Sequence, residues 1–132
     1  GRLTEPMLDA VEVSGADGRG EPNISVALHA VELARHGDDP PFARQSLGGV
    51  GAGTVYDDRD GMVKLVVDKK DGEILGAHIV GNRACDMIAE LVAVMALEGG
   101  IQELQRIMHP HPTISEAVVE GARAVDGWAT HA

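Results

Sequence analysis

Apolar positions along the 132-residue chain change character at about residue 60. Up to there, short apolar patches are cut by Pro, Gly and Asp; beyond it the periodicities sharpen. Val11 and Val13 alternate with Glu12, which predicts an edge strand. Ser14 to Pro22 reads as a loop rich in Gly, Asp and Glu. Asn23 or Ser25 is placed to cap a short helix to Arg35, with Val26, Ala30, Leu33 and Ala34 on one face; Gly37, Pro40 and Pro41 end it. Met62–Val67 and Ile74–Val80 are β-rich runs. The Asp68-Lys69-Lys70-Asp71-Gly72-Glu73 segment between them carries Asp-Gly turn chemistry, so the pair predicts an antiparallel hairpin.

Residues 84–98 predict a helix whose Met87, Ile88, Leu91, Val92, Met95 and Ala96 spread over more than one face. Gly99-Gly100 stops it, and Gln102 to Met108 forms a shorter helical turn. His109-Pro110-His111-Pro112 cannot be helical. A last helix from about Ile114 to Asp126 aligns Ile114, Ala117, Val118, Ala122 and Val125 along one stripe. The economical way to bury these faces is an α+β fold, a small antiparallel sheet with helices packed on one side. The length fits a single domain over residues 1–132. So small a sheet leaves the helix at 84–98 and the final helix as the candidate surfaces for pairing with another chain.

Charge and composition narrow the function. A formal net charge of -10 opposes nucleic acid and anionic membranes as partners. No apolar run reaches the roughly 20 residues of a membrane-spanning helix, and no signal peptide opens the chain, so a cytoplasmic location is expected. Cys85 is the single cysteine, which excludes an internal disulfide, a CxxC pair and a cysteine-rich zinc knuckle. As a lone thiol it reads as a small buried hydrophobe. The three aromatics, Phe42, Tyr56 and Trp128, are too few for base stacking. Trp128 and the methionines read as core or interface filler.

Chemistry concentrates between residues 109 and 116. Pro110 and Pro112 stiffen the backbone on both sides of His111. Thr113 and Glu116 have capping-box spacing, so Glu116 can serve the Thr113 amide. That cap can be the whole role of Glu116; the alternative is that the carboxylate reaches back to the imidazole, where it would fix the tautomer and stabilise the imidazolium, as general acid–base catalysis requires. One carboxylate can do both. His109 and His111 could instead form a metal pair, but only by recruiting His78, Asp86 or His131; no metal-ligand motif is present. His29, His36 and His131 read as solvated. The Gly48–Gly53 run lacks the Lys-Ser/Thr of a phosphate loop and reads as a flexible loop or bulged strand.

Gly61–Val66, Gly72–Gly81 and above all His109-Pro-His-Pro-Thr-Ile-Ser-Glu-Ala117 resemble the C-terminal dimerisation domain of dihydrolipoamide dehydrogenase and, more broadly, the flavin-dependent pyridine nucleotide–disulfide oxidoreductases. The closing Ala124–His131 is similar to that family's tail. The resemblance is good over residues 61–132. Before that it is confined to Thr4–Val11 and Pro41–Ala43, and residues 14–40 are a divergent loop and helix segment.

The resemblance implies that His111 is the acid–base histidine and Glu116 its orienting carboxylate, supplied in trans to the partner subunit's flavin and redox disulfide. It implies His111 and Pro112 beside the flavin, a cis His111–Pro112 peptide, a dithiol substrate of the lipoyl type, and a homodimer or union with flavin and nicotinamide domains of the same enzyme. FAD and NAD belong to that full-length enzyme. This chain, with no GxGxxG unit and no cysteine pair, is expected to bind neither alone and to be inactive alone. The competing expectation is a stand-alone, non-catalytic protein-association module that keeps the fold, suggested by the divergent 14–40 segment.

Overall fold

In the computed structural model the described residues are 8–14, 25–30 and 42–131, with side chains from residue 43 to residue 131. The hairpin is the centre of the fold. Met62–Val67 (β4) and Ile74–Val80 (β5) pair antiparallel, with Val63 opposite Ile79 and Leu65 opposite Ala77. Their turn is closed by Asp68, whose carbonyl accepts from the Gly72 amide at 3.0 Å and whose carboxylate accepts from the Lys70 amide at 2.6 Å. Gly72 takes a φ of +80°, a region an L side chain resists. A register shift between Val66 and Val67 makes Leu75 the extra residue of a bulge. Leu75 is buried but stands outside the main apolar cluster.

Leu8–Ser14 (β1), Ser25–Ala30 (β2) and Phe42–Ser46 (β3) complete a five-stranded antiparallel sheet in the order β1-β2-β5-β4-β3. β1 is an edge strand, as the alternation around Glu12 predicts. The helix expected from Asn23 or Ser25 is not formed: residues 25–30 are a strand, paired with β1 on one side and β5 on the other. With both neighbours present, every backbone amide and carbonyl of such a strand has a ladder in which to be satisfied, and this outweighs a weak helical period. The expected loop at 15–22 and the expected helix end at 36–41 lie outside the described residues.

The glycine-rich segment is also not the loop or bulged strand expected. Leu47–Gly49 is a 3₁₀ turn and Gly51–Val55 a short helix (α1). Gly53 is required here, since a Cβ on it would lie 2.0 Å from the Leu47 carbonyl oxygen.

Ala84–Ala96 (α2) lies over β5 and β2, Ile101–Arg106 (α3) packs on Glu116–Val125 (α4), and α4 crosses β3 and β4. The three contribute Met87, Ile88, Leu91, Leu104, Ala117, Val118 and Ala122 to one apolar cluster with Val63, Leu65, Val67, Ala77 and Ile79 of the sheet. The helices therefore share one face of the sheet, as expected. α2 ends two residues earlier than the sequence suggests, with Glu98 rather than a glycine in the left-handed region at φ 58°. α3 is anchored at its start: the Gly100 amide donates to Glu103 Oε2 at 2.8 Å, and the Ile101 amide donates to the Gly72 carbonyl at 3.0 Å.

Two expectations about surfaces change. The stripe of α4 is not free for a partner, because residues 117–122 are buried within this chain's own core. Cys85, one residue into α2, is exposed rather than buried, since the buried stripe runs through Ala84, Met87, Ile88 and Leu91 instead. Trp128 is 51% exposed and lies over Arg123, and Met108 is 93% exposed; neither fills the core.

Candidate functional site

Residues 109–113 connect α3 to α4, and each polar group in this connection has a distinct destination. His109 turns inward. Its side chain is 6% exposed and its Nε2–H donates to both oxygens of Glu90 on α2, at 2.8 and 3.0 Å. Its Nδ1 is buried without a hydrogen-bond partner among the described residues. His111 turns outward, its side chain 69% exposed. The two rings therefore go to different carboxylates on different helices and do not converge as a metal pair. Among the described residues no group of three or more His, Cys, Asp or Glu side chains could hold a metal ion.

His111 Nδ1 lies 2.9 Å from Glu116 Oε1 and 3.2 Å from Oε2. A carboxylate can only accept, so Nδ1 carries the proton and Nε2, on the opposite edge of the ring, carries the lone pair. Glu116 Oε2 also accepts from the Thr113 amide at 2.9 Å. The helix-start role and the imidazole-orienting role thus coexist in one side chain. Only half of the anticipated capping box forms, because the Thr113 hydroxyl donates back to the Pro110 carbonyl at 2.8 Å. The peptide between His111 and Pro112 is cis, and Pro112 is exposed beside the ring.

Partial burial is the largest single influence on the Glu116 carboxyl and pushes its pKa up. The Thr113 amide, the bond to His111, and the electrostatic influence of the His111 and His131 rings together outweigh it. Glu116 is therefore held below the ordinary glutamate value and stays ionised near neutral pH. The arrangement is a solvent-facing base whose proton-bearing edge is fixed by an anion, which can take a proton from an acid held at Nε2 and return it.

Behind the pair the structure adds an element the sequence did not signal. Glu120, one helical turn beyond Glu116, is 2% exposed. Its Oε1 accepts from Arg123 Nη1 at 2.8 Å, and its Oε2 accepts from the amides of Thr130 at 2.7 Å and His131 at 2.8 Å. Gln45 of β3, 1% exposed, donates through Nε2 to the His131 carbonyl. The tail is thereby tied along α4, and His131 shares an open pocket with Ile107, Met108, His109, Glu116 and Arg123. Burial is again the largest influence on Glu120 and raises its pKa; the His131 amide, the bond to Arg123, the Thr130 amide and the Arg123 charge overcome it, leaving a net lowering.

Residues 26–122 match the family of the pyridine nucleotide-disulphide oxidoreductase dimerisation domain. The chain belongs to that family. It is 37% identical over 107 residues to the dihydrolipoyl dehydrogenase of Bacillus subtilis, covering 81% of this chain and 23% of that one. It is 48% identical over 67 residues to the dihydrolipoyl dehydrogenase of Cupriavidus necator, covering 51% and 14% respectively. LpdA of Mycobacterium tuberculosis superposes with a TM-score of 0.69 at 17% identity, over 78% of this chain and 23% of that one, a likeness of fold. The chain spans less than a quarter of the length of these relatives. The match begins one residue into β2, so Val26–Ala30 of that strand fall inside it. The later part of the divergent 14–40 segment therefore lies inside the family match.

Proposed function

We propose that this dimerisation domain works within a dihydrolipoyl dehydrogenase-like flavoenzyme, pairing two copies and supplying His111 and Glu116 in trans to the partner's disulfide and flavin. The observation that carries the reading is the 2.9 Å bond from Nδ1 of an exposed His111 to Glu116, in a domain of this family. The substrate is a dithiol of the lipoyl type. Nε2 removes a proton from one thiol, leaving the thiolate that attacks a disulfide. Glu116 stabilises the imidazolium so formed, and the ring returns the proton on turnover.

The chain has no GxGxxG unit on which to seat a dinucleotide. Its fit to a flavin is at an edge, through the exposed His111 ring and Pro112 beside it. FAD held by the rest of such an enzyme supplies the electron acceptance that links dithiol to NAD. Pairing of two copies would cover the outward side of α2, where Cys85, Ala89, Ala93 and Ala96 are exposed. Exposed Leu97 and Met108 extend that apolar surface. No helix among the described residues is long and apolar enough to cross a membrane, and we place the enzyme in the cytoplasm.

Complementation tests the proposal. The chain alone should not reduce NAD with dihydrolipoamide. Added to a dihydrolipoyl dehydrogenase truncated before its own dimerisation domain, it should restore that activity. His111→Ala should then lower the restored rate by about 10²- to 10⁴-fold, the usual weight of a general acid–base group. Restored activity that is indifferent to His111→Ala refutes the acid–base role.

A further inference from the structure

Within the glycine-rich segment, the backbone does not explain the glycine at position 51. Gly51, the first residue of α1, is exposed, and it is not among the residues with a positive φ. An L side chain is therefore compatible with its conformation, unlike Gly53, where a Cβ would strike a backbone oxygen. Among the described residues beyond its own turn of helix, a Cβ at Gly51 would meet His111 alone, at 3.2 Å from Cε1 and 3.8 Å from Nε2. The first distance is tighter than ordinary van der Waals contact, and the atom it crowds is the ring carbon between the two nitrogens. Glu116 holds the ring at Nδ1, so an added methyl has to displace the imidazole or loosen that bond.

We propose that Gly51 is a positioning residue for His111: the absence of a side chain lets the imidazole rest against the start of α1 with Nδ1 on Glu116 and its Cε1–Nε2 edge over the glycine. Two elements far apart in sequence then set the ring, α4 through a carboxylate and α1 through a missing methyl. A serine or alanine at this position would be better for the helix itself, since glycine is a poor helix former. The inference rests on the reading of His111 as the acid–base group. Its test uses no turnover, so a failed complementation and a failed positioning role are separate results.

The test is Gly51→Ala in this chain, with His111→Ala as the reference for complete loss of the ring. The Glu116 carboxyl is followed by its 13C shift through an acid titration, and the His111 ring nitrogens by their 15N shifts. The groups facing that carboxyl are His111, His131 and the Thr113 amide, and His109, Glu120 and Arg123 line the same pocket. Only the His111 bond should change. The Glu116 midpoint should rise by at least a third of the rise that His111→Ala causes, the ring nitrogen shifts should move, and the melting temperature should stay equal or increase. A smaller rise overturns the proposal. So does loss of cooperative folding in Gly51→Ala, because the glycine would then be required by the backbone and not by the ring.

Discussion

Replacing Glu120 by alanine is expected to destabilise the domain by about 3 kcal/mol, although no sequence pattern marks this residue. The side chain accepts three hydrogen bonds, from Arg123 Nη1 and the amides of Thr130 and His131, at 2.7 to 2.8 Å. Hydrogen bonds to a charged group contribute roughly 1.5–3 kcal/mol each. The full sum is not lost, because Thr130 and His131 are exposed and Arg123 is partly so, and water can serve their freed donors. A released tail also regains roughly 1–2 kcal/mol of backbone entropy per residue. The remainder, about 3 kcal/mol, is at the low end of what removing one member of a buried pair costs. In a domain of this size it lowers the melting temperature by roughly 10 °C.

The pH dependence gives the sharper test. The Glu120 carboxyl is lowered from its ordinary value of 4.5, so its stabilisation is complete above that value and is lost as pH falls through the lower folded value. Glu120→Gln keeps the shape and removes the charge. Urea melts of both forms from pH 7 to pH 3 should therefore show a difference that is largest at neutral pH and closes below 4.5. A stability difference under about 1 kcal/mol at pH 7, or one that does not change with pH, would refute the argument that an ionised, buried carboxylate holds the tail.

Gly53→Ala forces a methyl to 2.0 Å from the Leu47 carbonyl; it should cost about 1–3 kcal/mol or more in chemical denaturation. Gly51→Ala, two residues away, should be neutral or stabilising. Glu90→Ala leaves the buried His109 ring without its acceptor and should cost about 1–3 kcal/mol by the same assay, with the His111–Glu116 distance signature in NMR preserved. Glu116→Gln in the complementation assay should slow dithiol oxidation less than His111→Ala, because the amide can still accept from Nδ1–H but carries no charge to stabilise the imidazolium.

Where the apolar pattern was dense and local, it was sufficient. The β4–β5 hairpin follows from two β-branched runs around an Asp-Gly turn, and α2, α3 and α4 begin and end within a few residues of their expected limits. The pairing of His111 with Glu116 was one of two readings that spacing allowed, the other being a helix cap alone, and the family motif around them favoured it. β2 was not. Val26, Leu28 and Ala30 alternate, but Val26, Ala30, Leu33 and Ala34 also fit a helical stripe, and the decision between them came from β1 and β5 on its two sides. Cys85 and the α4 stripe were misjudged for a related reason: a stripe shows that a face is apolar, and only the sheet shows which neighbour covers it.

The sequence by itself determined the hairpin, the helices, the family to which the chain belongs, and the carboxylate that meets His111, because all of these depend on residues near one another or on a contiguous motif. Tertiary structure decided the rest. Glu120 meets amides ten and eleven residues away, Gln45 meets a carbonyl 86 residues away, and a side chain at Gly51 would meet a ring sixty positions further along the chain. No local period encodes such contacts. They exist only once sheet and helices have closed on a common core, and they are what hold the tail and the imidazole in place.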